Sequence, residues 1–128
     1  MKVTSNDCVF CRVVSGEVDA RRHFETPEYL CIEDQYPVTE GHSLLLPKAH
    51  IEGLADADWG SLTAALDRAI EAVRGSTTPD GLNVGVNDGA AAGQTVPHLH
   101  WHIIPRYEGD VENPAGGVRG VIPEKQKY

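Results

Sequence analysis

Three histidines, His98, His100 and His102, stand at alternate positions of "GQTVPHLHWHIIPR", with Leu99, Trp101, Ile103 and Ile104 between and after them. The whole chain has only six histidines. Side chains two apart on a strand project to the same face, so this spacing sets three imidazoles in one row and the apolar residues in the opposite row. On a helix the three would splay around the axis. Three readings fit such a row. In the first the imidazoles line a solvated sheet face while Leu99, Trp101 and Ile103 pack beneath a helix. In the second they ligate a metal, imidazole being a common zinc ligand. In the third they act on a phosphorus centre, because neutral imidazole is a nucleophile near neutral pH and its neighbours can fix its tautomer or donate to phosphate oxygens. Strict alternation weighs against the first reading, since packing alone does not select histidine over threonine or valine at each step.

The residues just upstream favour phosphate chemistry. "NDGAAAGQTVPH" is crowded with small residues that let backbone N–H groups approach an anion. Asn87, Gln94 and Thr95 add uncharged donors. Alone this is an ordinary glycine-containing connection. Directly before a histidine row it supplies the donors that a pentacoordinate phosphorus transition state requires. A second constellation is "CVFC", Cys8 and Cys11, which is open between redox work, zinc and no role. It lacks the strand-then-helix setting of a thioredoxin-like motif.

The elements that must position these residues can be read from periodicity and punctuation. Cys8 to Val14 forms a short helix ended near Gly16. Arg21 to Glu25 and Tyr29 to Glu33, split by Thr26-Pro27-Glu28, form a hairpin. Ser43 to Leu46 is a third strand, stopped by Pro47, and Cys31 alternates into its strand as a small buried hydrophobe. From Asp56 to Val73 the residues Trp59, Leu62, Leu66, Ile70 and Val73 recur at helical spacing, with Asp56 as N-cap and Gly75 past the end. That apolar row must bury against its own sheet or a partner. Gly81 to Val86 and His98 to Ile104 alternate as strands, and the chain beyond them, about 107–128, reads as an irregular tail. The order gives one α+β domain over 1–128, with one long helix laid on a mostly antiparallel sheet of about five strands and a short N-terminal helix.

Composition excludes several classes. At 128 residues the chain supports about one domain. A net charge of −8 and a pI near 5.1 argue against nucleic acid as a partner, since backbone binding relies on a basic surface. No apolar run is long enough to cross a membrane, and "MKVTSNDCVFCR" lacks the apolar middle of a signal peptide, so the expected compartment is the cytoplasm. Three cysteines without a secretory signal do not make a disulfide framework.

"HLHWHII" fits the His-apolar-His-apolar-His-apolar-apolar pattern of the histidine triad (HIT) family of nucleotide hydrolases and transferases, which this chain resembles over nearly its whole length. "CVFCRVVSGE", "IEDQYPVTEGHSLLLPKAH" and "GLNVGVNDGAAAGQTVPHLHWHIIPR" follow in the family's order. The resemblance implies a HIT-like fold and, for His100, the role of nucleophile at the α-phosphorus of a nucleotide, forming a covalent nucleotidyl-histidine that water cleaves. It casts His102 as a phosphate contact and His98 as a supporting group. It further implies that Asn87, Gln94 and Thr95 contact phosphate oxygens and that Asp34 binds the ribose hydroxyls. It assigns Cys8, Cys11, His50 and His98 to a structural zinc, a tetrahedral set closed by protein ligands. It also implies an adenine-type nucleotide carrying an AMP moiety and a homodimer built on the long helix and a central strand.

The chain mixes signatures within the family. "GQTVPHLHWHIIPRYEGD" resembles the branch that hydrolyses diadenosine polyphosphates, which is the expected substrate class here, whereas "CVFC" and "PKAH" resemble the phosphoramidase branch. The tail "NPAGGVRGVIPEKQKY" resembles a segment of the polyphosphate-type members, and its Arg119 either reaches a polyphosphate or is a surface charge. Around Asp34 the chain departs from the family, with Glu33, Gln35 and Tyr36 where an apolar residue and asparagine are usual. Two further readings stand beside the hydrolase. A zinc-stabilised nucleotide-binding module has no need of a complete histidine row, and a metal-storage protein predicts several metals and no nucleotide affinity.

Overall fold

A computed structural model describes residues 7–127; the first six residues of the stretch read as lacking a leader, and Tyr128 of the tail, lie outside the described residues. Helix α1, Val9–Ser15, starts at Cys8, whose thiol accepts from the Cys11 N–H, and stops at Gly16 in the left-handed region at φ 87°. Strands β1, Arg22–Glu25, and β2, Tyr29–Glu33, make the expected hairpin, with a bulge between Arg22 and Phe24. The Thr26 hydroxyl closes the turn by accepting from the Tyr29 N–H. Strand β3 is Ser43–Pro47, helix α2 is Trp59–Ser76, and strands β4 and β5 are Gly81–Val86 and Trp101–Arg106.

The five strands form one antiparallel sheet in the order β1-β2-β3-β5-β4. With α2 crossing it, this is the α+β architecture expected from the sequence. Because β3 lies at the centre, both its faces are covered and every residue of "SLLLP" is buried. One face packs Leu45, Cys31, Phe24 and Ile103 under α2. The other packs Leu44, Leu46, Leu30 and Ile32 against Val13 of α1.

Helix α2 differs from its expected form in cap and in face. Its N-cap is Asp58, whose carboxylate accepts from the Gly60 N–H, while Asp56 closes a separate 3-10 turn, Leu54–Asp56. Gly75 lies inside the helix, which ends where the Thr77 hydroxyl donates to the Val73 carbonyl. The buried stripe is Leu62, Ala65, Ala69 and Val73, the alanines letting the helix sit close to its own sheet. Leu66 flanks this core and Trp59 stays half exposed, its ring edge-on to Trp101.

Strand β5 is also displaced from its expected span of His98 to Ile104. Its ladder begins at Trp101, where Leu45 of β3 and Val86 of β4 end their pairing, so only His102 of the three histidines lies in a strand. Upstream, the Leu99 N–H donates instead to the Ile51 carbonyl. Pro105 stays within β5 because it lies past the end of β3, where its carbonyl accepts from the Thr39 hydroxyl and no ladder N–H is needed. The segment beyond Arg106 carries two 3-10 turns, Gly117–Val121 and Pro123–Lys125. In it the Arg119 guanidinium donates twice to the Lys125 carbonyl.

Candidate functional site

The α1 face of the sheet carries the chemistry. In β5 the pairing sets His102 opposite Leu44, so its ring projects to the α1 face while Trp101 and Ile103 face α2. His100 follows the same parity just before the strand. Its ring centroid lies 5.2 Å from that of His102, and both line a cavity of about 610 Å³. Val9, Phe10, Val13, Val18, Ile32 and Leu44 form the apolar side of this cavity. Asp34, Tyr36, Asn87, Thr95, His100 and His102 line it with polar groups. A volume and a lining of this kind suit a drug-sized ligand with one apolar and one polar end. Arg21 is the only arginine or lysine among the described lining residues, and it pairs with Glu33.

Hydrogen-bond partners assign the ring tautomers. Nδ1 of His100 lies 2.8 Å from the His98 carbonyl oxygen, which can only accept. The proton of His100 therefore sits on Nδ1, and Nε2 carries the free lone pair. The tautomer of His102 is set through His42, from the backbone. The Val38 N–H donates to Nδ1 of His42 over 3.1 Å, so the proton of neutral His42 is on Nε2. That Nε2 lies 2.9 Å from Nδ1 of His102 and 3.4 Å from an Asp34 carboxylate oxygen. Nδ1 of His102 is then the acceptor and its Nε2 keeps a proton to donate. Burial, with His100 and His42 alongside, pushes His102 down to about 4, so the ring is neutral near pH 7. Burial lowers His42 as well, against the opposing pull of Asp34.

His42 was not singled out by the sequence. It enters through a turn in which its own N–H donates to the Thr39 carbonyl and its carbonyl accepts from the Asp34 N–H. Gly41 makes that turn possible at φ 88°, at a place where a β-carbon would run into Thr77 and Pro105. Asp34, Asn87, Thr95, His100 and His102 are thus brought to one cavity, while Gln94 is not part of its lining. The Gln94 side-chain oxygen accepts from the Gly89 N–H, and its nitrogen donates to the Glu52 and Val96 carbonyls. It braces the "GAAAGQT" loop, in which Gly89 and Gly93 both sit at φ 94°.

Beside the cavity, Cys8, Cys11, His50 and His98 place four ligand atoms within 4.8 Å of one another. Nδ1 of His98 lies 3.4 Å from the Cys8 sulfur and 3.6 Å from that of Cys11, and Nδ1 of His50 lies 3.2 Å from the Cys11 sulfur. A tetrahedral zinc with its usual bond lengths sets sulfur-to-nitrogen edges of roughly 3.5 Å, so the cluster fits that ion. His98 is prepared for it: Nε2 donates to the Pro47 carbonyl over 2.7 Å, leaving Nδ1 as a lone pair toward the sulfurs. Burial pushes this ring down to about 4, which keeps it neutral. Asp34, His42 and His102 also approach one another, but the short His42–His102 contact and the Val38 N–H on His42 describe a hydrogen-bond relay instead of a coordination sphere. Cys31, on the far face, is fully buried, and burial alone pushes its thiol up to about 12.

The HIT domain family model matches residues 15–109. Adenylylsulfatase HINT3 of Arabidopsis thaliana is 42% identical over 109 residues, covering 82% of this chain and 55% of that protein, so the chain spans about half the length of this relative. An uncharacterised HIT-like protein of Mycobacterium tuberculosis is 40% identical over 114 residues, covering 87% of this chain and 79% of the other. Among solved structures, a Zn-bound histidine triad family protein from Mycobacterium smegmatis superposes with a TM-score of 0.74 at 41% identity, covering 84% of this chain and 80% of that one.

Proposed function

Because the chain belongs to the HIT family of nucleotide hydrolases and transferases, we propose that it hydrolyses a nucleotide at the α-phosphorus, with Nε2 of His100 as nucleophile. The observation that carries this reading is the Nδ1–H of His100 held on the His98 carbonyl, which leaves the lone pair on Nε2 of a ring that lines the cavity 5.2 Å, centre to centre, from that of His102. Nε2 of His100 bonds to phosphorus as the bond to the leaving group breaks. The His98 carbonyl stabilises the charge that this puts on the ring. Water then cleaves the N–P bond and returns a nucleoside monophosphate. His102, Asn87 and Thr95 donate to the phosphoryl oxygens, Gln94 holds their loop, and Asp34 takes the ribose hydroxyls while an adenine base fills the apolar side.

Zinc is the ion that we assign to Cys8, Cys11, His50 and His98, in keeping with the Zn-bound M. smegmatis relative. When bound it supplies structural cross-linking between α1, the Lys48–Ile51 segment and the strand-entry segment at His98, with all four positions filled by protein. We read residues 1–128 as one domain, active in the cytoplasm as a homodimer. Support for the dimer is the edge strand β4, "GLNVGV", which has no charge or proline to blunt pairing.

The leaving group admits two classes. A diadenosine polyphosphate is the class that the "GQTVPHLHWHIIPRYEGD" signature favours. A compact leaving group, sulfate or an amine, is favoured by two observations: Arg119 donates to the Lys125 carbonyl, and Arg21, the one lysine or arginine among the described lining residues, pairs with Glu33. Hydrolysis of diadenosine tetraphosphate, adenosine 5′-phosphoramidate and adenylyl sulfate by the protein and by His100→Asn tests the proposal. Turnover that vanishes with His100→Asn is the expected result, and the preferred substrate assigns the class. Equal activity of both proteins refutes the nucleophile, and inertness of both with intact AMP binding leaves a binding module.

A further inference from the structure

We infer that Cys8 and Cys11 are positioning residues for His100: with a divalent metal shared with His50 and His98, they hold Phe10 and the His98 carbonyl against the nucleophile. The inference rests on the reading of His100 as nucleophile and on the fit of the four-ligand cluster. Phe10 stands between the two cysteines on the first turn of α1. Its ring meets the His100 ring edge-on at 4.9 Å and 67°, and the His98 ring at 5.8 Å and 85°. The second route is the backbone: His98 presents Nδ1 to both sulfurs and, from the same residue, a carbonyl to Nδ1–H of His100. One path thus runs through a side chain and one through a peptide group, and both end on the same ring.

Helix α1 makes the coupling directional. At seven residues it is too short to hold itself together. Its C-terminal half is anchored without metal, by Val13 in the core and by the Arg22 guanidinium donating to the Val13 carbonyl over 2.8 Å. The N-terminal turn, which carries Val9 and Phe10 into the cavity, is held where Cys8 and Cys11 meet His98 and His50 and, more lightly, where the partly buried Phe10 ring rests on the core of Val13 and Leu44. Removing the ion leaves contacts between thiols and imidazoles, which are weak hydrogen bonds, and frees that turn first. Occupancy of the metal centre therefore sets nucleotide affinity, and by reciprocity nucleotide binding tightens the hold on the metal.

Two measurements on the full chain test this. In cobalt-substituted protein, titration with AMP should shift the visible d–d bands, and Phe10→Leu, which keeps all four ligands, should retain the bands and lose most of that shift. In zinc-loaded and chelator-stripped protein, calorimetry should show AMP binding at least about tenfold weaker after stripping, with the far-ultraviolet circular dichroism of α2 and the sheet retained. If the stripped chain unfolds, the cobalt titration alone decides. The inference is overturned if AMP binds the cobalt protein and the bands stay still, or if the folded, stripped protein binds AMP unchanged. Failure of the loaded protein to bind AMP at all overturns the functional reading beneath it.

Discussion

Replacing His42 by leucine isolates the relay behind His102. The change fills a position only 3% exposed with a side chain of similar bulk, yet removes the Nε2–H that fixes the His102 tautomer. The Val38 N–H, which points at the buried His42 position, loses its acceptor too, a cost in stability that thermal denaturation reads separately. Nδ1 of His102 loses its donor, and the ring gains freedom to carry its proton on the wrong nitrogen. The loss in the transition state is then one hydrogen bond to a charged phosphoryl oxygen, about 1.5–3 kcal/mol. At about 1.4 kcal/mol per tenfold, kcat should fall by roughly 10- to 150-fold with KM little changed. His42→Gln keeps an amide donor toward His102 and an oxygen toward Val38, so it should recover much of the loss. Steady-state kinetics on adenosine 5′-phosphoramidate, or whichever substrate is turned over, with thermal denaturation of each variant, makes the comparison. A folded His42→Leu protein with kcat within about twofold of the parent refutes the relay, as does equal impairment of the glutamine and leucine variants.

Two further outcomes follow from the same geometry. His102 is pushed down to about 4 in the folded protein against an ordinary 6.5, so between those values the unfolded chain takes up a proton that the folded one refuses. Its contribution is complete above pH 6.5 and is lost as pH falls toward 4; a urea midpoint that drops as far in a folded His102→Asn variant contradicts the burial argument. Gly41→Ala puts a β-carbon against Thr77 at φ 88°, which costs about 2 kcal/mol or more and lowers Tm by roughly 5–10 °C. An unchanged Tm would show that the turn carrying His42 tolerates a side chain.

Much of the scaffold was legible because short-range chemistry dictates it. Gly16 stops α1, Thr26 closes the hairpin, and Cys31 is a core residue, each for reasons contained in a few neighbouring residues. The start of β5 was not, because a strand begins where its neighbours begin, and β3 and β4 give out at Trp101. Asp56 and Asp58 satisfy the capping rule alike, and only the 3-10 turn before α2 separates them. In the site, alternation sets all three histidines in one row, whereas only His100 and His102 line the cavity and His98 turns to the cysteines; the set of Cys8, Cys11, His50 and His98 was legible through the family resemblance, since "CVFC" alone leaves its role open. His42 escaped because its partner is sixty residues away and its only local signal is a polar ring at the head of a buried apolar strand. Phe10 escaped because it looked like spacing between two cysteines. Gln94 reads from the sequence as a phosphate donor, whereas in the fold its amide is engaged by the backbone of Gly89 and Val96 and, from 42 residues away, of Glu52, a partner no local pattern signals.

Under the proposed hydrolysis the cavity meets a phosphate with neutral dipoles, and this bears on what happens after the chemistry. His102 is uncharged near pH 7, Asn87 and Thr95 carry no charge, and Arg21 is engaged by Glu33, in a chain whose net charge is −8. Donors of this kind stabilise charge that develops briefly in the transition state, yet they lack the long-range field that would retain a dianionic nucleoside monophosphate once formed. Departure of the product is thereby eased by the same surface that slows the arrival of an anionic substrate. Added salt, by screening the chain's own repulsion, quickens encounter, the opposite of the response of a site lined with lysine and arginine.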